Sequence, residues 1–115
     1  VDINDDGKTV VVGAPRERSA ATGINGTEND YTCSNCKKGA AYVFEYAESA
    51  WRQKSYLKGR HNYKGQRFGA AVSLSNEGES LAIGAYSENG AATGIGGDPT
   101  VESDPGTSAG AVYLY

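Results

Sequence analysis

Ala20-Ala21-Thr22-Gly23-Ile24 recurs unchanged as Ala91-Ala92-Thr93-Gly94-Ile95, and this duplication belongs to a longer internal repeat. Around it, residues 1–44 align with residues 72–115 at a constant offset of 71 without a gap, and 14 of the 44 aligned pairs are identical. Self-similarity at a fixed period is typical of repeat architectures, in which each unit buries its apolar face against its neighbours. The sequence therefore predicts a stacked or radial repeat scaffold rather than a single closed enzyme fold.

The local pattern within each period is that of β-strands. Short runs of β-branched and small residues follow polar turns, as where Asn4-Asp5-Asp6-Gly7 leads into a valine run. No stretch of 12 residues carries a helical period with caps. We therefore predict an all-β chain with four short strands per period and no helix. The predicted strands lie near residues 8–14, 40–46, 51–58, 68–74, 80–85 and 111–115.

Composition excludes two classes of partner. The chain has 16 Gly, 8 Tyr, no Met, one His and a net charge of −3, and its Lys and Arg residues are scattered. Nucleic-acid binding usually needs a clustered basic face. No apolar run approaches the roughly 18 residues of a transmembrane helix. We therefore predict no nucleic-acid partner and no membrane insertion.

Several spaced motifs together resemble the FG-GAP repeat, the blade unit of integrin α-subunit β-propellers. Gly13-Ala14-Pro15 follows a valine run, Gly39-Ala40-Ala41-Tyr42-Val43-Phe44 resembles the third strand of such a blade, and Phe68-Gly69 resembles its opening. Residues 51–58 and the Ala-Ala-Thr-Gly-Ile stretch resemble secreted bacterial proteins that carry this repeat in tandem. Tyr86 departs from the motif, because it stands where the second copy should have proline.

The resemblance implies two incomplete four-stranded antiparallel β-propeller-type blades. Residues 1–58 would form the first, without its opening half-strand, and residues 59–115 the second, without its outer strand. It also implies an extracellular or cell-surface setting and a non-catalytic role in binding or adhesion to protein or glycan through long loops. A generic β-sandwich is the alternative fold, although its strands would not be copies of one another.

The start of the chain offers a candidate calcium site. Asp2, Asn4 and Asp6 match the opening D-x-N-x-D-G of a calcium loop, in which alternate residues of a tight turn direct oxygens to one cation. Integrin-type blades bind Ca²⁺ with such a loop, so the resemblance implies a site formed by these side chains and the backbone carbonyl of Lys8. Such loops usually add an acidic ninth residue, where this chain has Val10. The alternative is a turn in which Asp and Asn only supply hydrogen bonds.

Cys33 and Cys36 form a C-x-x-C pair that the second copy lacks at residues 104–107. A structural zinc site needs about four ligands, and His61 is the only other candidate of the usual type. Thioredoxin-like redox chemistry would require a βαβ context, which the pattern lacks. An even number of cysteines in an extracellular chain favours a disulfide. We therefore predict a Cys33–Cys36 disulfide, with a metal site as the alternative.

Two insertions of 23 residues, 16–38 and 87–109, interrupt the strand pattern. Loops longer than about 12–15 residues inside a compact domain are usually functional or disordered. The insertions share the Ala-Ala-Thr-Gly-Ile stretch and then diverge, which fits a binding or packing surface with a common stem and a variable tip. Asn25 opens a formal N-glycosylation sequon, Asn25-Gly26-Thr27, in the first of them.

Catalysis finds little support in the residues. His61 stands in a polar stretch, and Asp5-Asp6 lie in a turn with no sign of the buried pocket that separates the pKa values of paired carboxylates. We predict no enzymatic activity and no catalytic residue. Two function classes remain: a binding or adhesion module, and a structural subunit that self-assembles into an extracellular ring or fibre.

The predicted partners are further copies of the same repeat. A propeller closes with roughly four to eight blades, and this stretch carries fewer than two periods. On its own it would expose strand edges and blade faces, which is an aggregation hazard. The further copies would lie in a longer parent chain or on identical subunits arranged head to tail.

Overall fold

The computed structural model describes residues 1–29, 31–32, 36–60, 64–97 and 108–115. Within these ranges the chain forms seven β-strands and no helix, which confirms the predicted all-β class. The strands are β1 (Asp2–Ile3), β2 (Thr9–Ala14), β3 (Ala40–Ala47), β4 (Ala50–Leu57), β5 (Phe68–Leu74), β6 (Leu81–Ala85) and β7 (Ala111–Leu114). They form two antiparallel sheets, a first with the order β1-β2-β3-β4 and a second with the order β5-β6-β7.

The strand boundaries follow the repeated pattern closely. Every strand from β2 to β7 begins and ends within one residue of its predicted range. Strand β1 is not among the predicted strand ranges, although at the offset of 71 its residues correspond to Ser73 and Leu74 of the predicted strand 68–74. It forms because Asp2 and Ile3 pair with Val11 and Val10 of β2.

The two sheets pack face to face through alternating strand residues. Pairing places Val11, Ala41 and Val43 on one face of the first sheet, and this face contacts the second sheet. Burial of such apolar side chains is the main stabilising contribution, at about 1.5–3 kcal/mol for each large one. The core consists of Val11, Ala41, Val43, Leu57, Phe68, Leu81, Ile83 and Ala85.

Glycines allow the backbones of the two sheets to touch. A Cβ atom on Gly13 would overlap the carbonyl oxygen of Gly69, and one on Gly39 would overlap that of Phe68. The amide of Phe68 also donates a hydrogen bond to the carbonyl oxygen of Lys38 (3.0 Å). Gly69 itself has a φ of +83°, a left-handed conformation that glycine adopts at low cost. Strand β5 therefore lies directly on β2 and on the start of β3.

Candidate functional site

Four polar side chains form a buried cluster between the first insertion and the end of β4. We call Glu17, Ser19, Tyr56 and Lys58 the Glu17 cluster. Lys58 Nζ donates to Glu17 Oε2 (2.6 Å) and to the carbonyl oxygen of Ser19 (3.0 Å). The Tyr56 hydroxyl lies 3.0 Å from Glu17 Oε2 and 2.5 Å from Ser19 Oγ. The side chain of Lys58 is 0% exposed and that of Glu17 11%, so this is a buried ion pair.

Burial and hydrogen bonding shift the pKa values of Glu17, Tyr56 and the neighbouring Tyr42. Burial opposes ionisation of Glu17, but hydrogen bonds from Lys58, Ser19 and Tyr56 prevail and lower its pKa from the ordinary 4.5. Burial is also the main reason why the pKa of Tyr56 is raised and why that of Tyr42 rises to about 12. At neutral pH the carboxylate is ionised and both phenols are protonated. The cluster therefore links the first insertion to the end of β4.

The lowered pKa of Glu17 predicts a specific loss of stability in acid. Because the folded pKa lies below the unfolded value, the stabilisation is fully present above about pH 4.5 and is lost as the pH falls through the folded pKa. We expect the difference in unfolding free energy between the wild type and Glu17→Gln to shrink on acidification. Urea unfolding of both proteins from neutral pH to about pH 3 measures it. A difference that stays constant over this interval would contradict the assignment.

Glu88 occupies in the second copy the position of Glu17 in the first, 71 residues earlier. The amide of each glutamate donates to the carbonyl oxygen of an alanine, Ala14 (3.0 Å) for Glu17 and Ala85 (3.2 Å) for Glu88. The carbonyl oxygen of each accepts a hydrogen bond from the glycine before the next strand, Gly39 or Gly110, at 3.0 Å in both cases. The backbones of the two glutamates are therefore held in equivalent positions in the two copies.

The hydrogen-bond partners of Glu88 differ from those of Glu17. Its Oε2 accepts hydrogen bonds from the Tyr113 hydroxyl (2.6 Å) and from Gln66 Nε2 (2.7 Å). Burial, followed by the hydrogen bond to Glu88, raises the pKa of Tyr113. Glu88 is 4% exposed, yet none of the ion pairs among the described residues includes it. This buried carboxylate therefore has no cationic partner within the described part of the chain.

The second sheet has one uncovered face, which we call the open face: Ala71, Ala82, Gly84, Val112 and Leu114. Val112 and Leu114 are 70% and 79% exposed. At the offset of 71 they correspond to Ala41 and Val43 of the first sheet, which are 0% and 8% exposed because the second sheet covers them. A groove of about 1400 Å³ lies over Ala71, Gly84, Val112 and Leu114 of the open face and is bordered by the second insertion.

The duplicated Ala-Ala-Thr-Gly-Ile stretch is bridged to β4 in the first copy, and its isoleucine is exposed in both copies. In the first copy Ile24 forms an antiparallel bridge with Leu57, and the Gly23 carbonyl oxygen accepts a hydrogen bond from the Lys58 amide (2.8 Å). The first insertion thus adds to the edge of β4. In the second copy Ile95 is fully exposed. Both copies border the groove, through Gly23 and Ile24 in the first and through Gly94 and Ile95 in the second.

The predicted calcium-binding oxygens all accept hydrogen bonds from backbone amides. Asp2 Oδ2 accepts from Leu74 of the second sheet (2.8 Å), and Asn4 Oδ1 accepts from Lys8 (3.1 Å) and Thr9 (2.8 Å). Asp6 Oδ1 accepts from the Lys8 amide (2.8 Å), while the Lys8 carbonyl oxygen accepts from Tyr46. The structure places Asn4, Asp6 and Lys8 in the turn between β1 and β2 and Asp2 in β1, and a cation there would compete with these amides for the oxygens.

Calcium in this turn stays a prediction, and melting curves test it. If Ca²⁺ occupies the turn, a chelator lowers the melting temperature of the wild type, because loss of a bound ligand removes its stabilisation. The variant Asp6→Ala then melts identically with and without the chelator. Identical curves for the wild type would show that the segment is a hydrogen-bonded turn only.

The other predicted site residues are partly outside the described ranges. Cys33 and His61 lie outside the described residues, so the disulfide stays a prediction; Cys36 is described and buried. Asn25 is exposed with a φ of +53°, and its Oδ1 accepts a hydrogen bond from the Tyr56 amide (2.8 Å). The sequon side chain therefore also helps to hold the first insertion on β4.

Among the described residues, no group of three or more His, Cys, Asp and Glu side chains could hold a metal ion. The same residues include no helix that is long and apolar enough to span a membrane. Comparisons of the chain with protein-family models, with curated proteins and with solved structures find no match.

The sequence patterns do not single out the buried carboxylates as site residues. Glu17 and Glu88 are one of the identical pairs at the offset of 71, and that identity was the available signal. Lys58 belongs to residues 51–58, where one of the two alternating strand faces is only half apolar, a pattern that indicates an outer strand exposed to solvent. Its burial depends on the first insertion folding back over β4, which no local pattern encodes.

Proposed function

We propose that the chain is a non-catalytic, extracellular repeat module whose sheets are two incomplete FG-GAP-like, β-propeller-type blades. Its function is to stack on further copies of the same repeat through the open face. The observation that carries this proposal is the exposure of Val112 and Leu114, at positions whose counterparts Ala41 and Val43 are covered by the second sheet. The further copies are in the same parent chain or on identical subunits.

The opposite side of the molecule supports head-to-tail stacking. Val10, Val12, Tyr42 and Phe44 lie on the outer face of the first sheet and are half-buried. At the offset of 71 these residues correspond to Leu81, Ile83, Tyr113 and Tyr115, of which Leu81 and Ile83 are buried against the first sheet. The open face therefore corresponds to the face of the first sheet that contacts the second sheet. The outer face of the first sheet corresponds to the face of the second sheet that completes this contact. Contacts between two different faces close into rings or extend as filaments.

The chemistry of the buried carboxylates fits a non-catalytic module. Glu17 is neutralised by Lys58, and Glu88 accepts hydrogen bonds from Tyr113 and Gln66. In both places the carboxylate fixes a neighbouring segment in position. Exposed apolar patches on soluble proteins usually mark interaction surfaces, which agrees with a stacking role for the open face.

Photo-crosslinking tests the stacking geometry. With p-benzoylphenylalanine in place of Val112, irradiation of the 115-residue chain is expected to give intermolecular products. Mass spectrometry should place the crosslinked sites on the outer face of the first sheet, at Val10, Val12, Tyr42 or Phe44. The same probe at Tyr31, an exposed residue of the first insertion, is the control. Absence of dimeric product from the Val112 probe, or crosslinks scattered over the surface, would contradict the proposal.

Binding of a protein or glycan by the loops is the second candidate function. The observation that favours it is the anchoring of the first insertion on β4, which presents Tyr31 exposed (62%) beyond a fixed stem. Exposed aromatic side chains are common anchors in recognition surfaces. Retention of the wild type on a protein or glycan matrix, and its loss in Tyr31→Ala, would support adhesion. Equal retention of both proteins would leave the loop without this role.

A further inference from the structure

We propose that the free edge of β7 binds a β-strand in which a tyrosine and a lysine stand two residues apart, with the lysine ammonium on Glu88. This inference rests on the proposed function, because it names the segment by which a further copy of the repeat joins the second sheet. The chain contains one segment in which the lysine follows the tyrosine by two residues, Tyr56-Leu57-Lys58; in this chain it pairs with β3 and Glu17, and it defines the sequence that a further copy would present.

The first sheet shows how such a strand is recognised. Strand β4 pairs with β3 through Ala41↔Leu57 and Tyr42↔Tyr56, which brings the following Lys58 to Glu17. The tyrosine hydroxyl reaches the same carboxylate oxygen (3.0 Å). The first sheet therefore holds this strand by backbone pairing with β3, and the ammonium of Lys58 and the hydroxyl of Tyr56 both bind the carboxylate of Glu17.

The second sheet has the receiving half of this arrangement. Strand β7 pairs with β6 and with no other strand among the described residues, so one edge is free. Glu88, Tyr113 and Val112 stand at the positions of Glu17, Tyr42 and Ala41, 71 residues on. Both glutamates have the same backbone hydrogen bonds, so their carboxylates start from equivalent places.

Glu88 in the second sheet has no positively charged partner among the described residues, unlike Glu17 in the first. A buried carboxylate without a cation is unfavourable, and an ion pair with good geometry relieves this cost. Glu88 is 4% exposed and has no ion pair among the described residues. A strand with a lysine at the position of Lys58 would supply the missing positive charge.

An unpartnered acceptor beside Glu88 indicates independently that a donor is missing there. Gln66 is 1% exposed, and its Nε2 donates both to Glu88 Oε2 (2.7 Å) and to the Tyr113 hydroxyl (3.1 Å). In the described part of the chain, Gln66 Oε1 is buried and has no hydrogen-bond partner. Native structures rarely leave such atoms unsatisfied, so a group that brings donors to this place is expected.

The test uses a labelled peptide with the sequence of residues 50–59 and fluorescence anisotropy against the 115-residue chain. Two variant peptides separate the effect of the proposed contact from that of positive charge in general. Lys58→Met removes the proposed contact, whereas Lys54→Met removes a positive charge whose partner in the folded chain is Glu45 of β3. We expect the Lys58→Met peptide to bind roughly tenfold more weakly or worse, because hydrogen bonds to buried charges contribute strongly. The Lys54→Met peptide should bind nearly as well as the parent.

Protein variants locate the binding to this edge. Glu88→Gln should weaken binding of the parent peptide and remove the difference between the parent and Lys58→Met peptides. Glu79→Gln removes an exposed carboxylate from the turn between β5 and β6 and should leave binding unchanged. Absence of binding, or equal binding of all three peptides, overturns the inference even if the chain stacks through its open face. Selective peptide binding by a chain that gives no specific crosslink from residue 112 overturns the stacking function instead.

Discussion

Replacement of Lys58 by methionine is expected to lower the free energy of unfolding by about 3–5 kcal/mol, the usual loss when one partner of a buried ion pair is removed. Methionine keeps most of the side-chain volume, so the effect comes from charge rather than from a cavity. Glu17 would then remain in a site where its counter-ion, 2.6 Å away in the wild type, is gone. Small domains have a total stability of about 5–15 kcal/mol, so the loss is a large fraction.

Two further variants isolate the cause of this loss. Lys54→Met removes an exposed ion pair with Glu45 (3.0 Å), and we expect it to cost less than about 1 kcal/mol. The double variant Glu17→Gln with Lys58→Met should recover part of the loss, because it leaves no unpaired buried charge. Urea unfolding followed by tyrosine and tryptophan fluorescence measures all of them. If Lys58→Met and Lys54→Met cost the same, the buried ion pair does not have the role described here.

Replacement of Gly13 by alanine is expected to destabilise the chain by about 1–3 kcal/mol or more, as overpacking of a close contact does. The added Cβ would overlap the Gly69 carbonyl oxygen and lie 3.3 Å from Val72 Cγ1. The overlapped atom belongs to the backbone, so the strain is relieved only if the two sheets move apart. That movement would weaken the packing of Phe68 and Ile83 in the core.

The matched control is Gly84→Ala, because Gly84 stands at the position of Gly13 in the second sheet. A Cβ there would have the Cβ of Ala71 as its nearest neighbour, at 3.4 Å. Since glycine in a strand interior is less stable than alanine by roughly 0.5–1 kcal/mol, this variant should be neutral or slightly stabilising. Thermal unfolding of both variants compares them. Equal destabilisation would show that the sheets do not meet at Gly13 as described.

Strand positions could be predicted because they depend on local sequence. The valine run before Gly13 and the Phe-Gly start of β5 are short apolar segments bounded by turns, and each forms a strand within one residue of its expected range. Strand β1 follows from the repeat rather than from local sequence: at the offset of 71, Asp2 and Ile3 correspond to Ser73 and Leu74 at the end of β5, and they pair with β2.

The candidate site depends on long-range contacts that local patterns do not contain. Lys58 meets Glu17 across 41 residues of sequence, and Asp2 meets the Leu74 amide across 72. The motif at Asp2, Asn4 and Asp6 is compatible with both a calcium loop and a hydrogen-bonded turn, since the same oxygens serve either purpose. Only the position of the partner amides shows which interactions compete for them.

Sedimentation velocity of the wild type, Leu114→Lys and Tyr31→Lys measures whether the open face drives assembly. Both substitutions place a charge at an exposed residue, but only Leu114 lies on the open face. We expect the wild type and Tyr31→Lys to form assemblies that grow with concentration in the micromolar range. Leu114→Lys should remain a folded monomer of about 12.0 kDa. A wild type that stays a compact, folded monomer throughout, or a Leu114→Lys variant that assembles like the wild type, would contradict stacking through the open face.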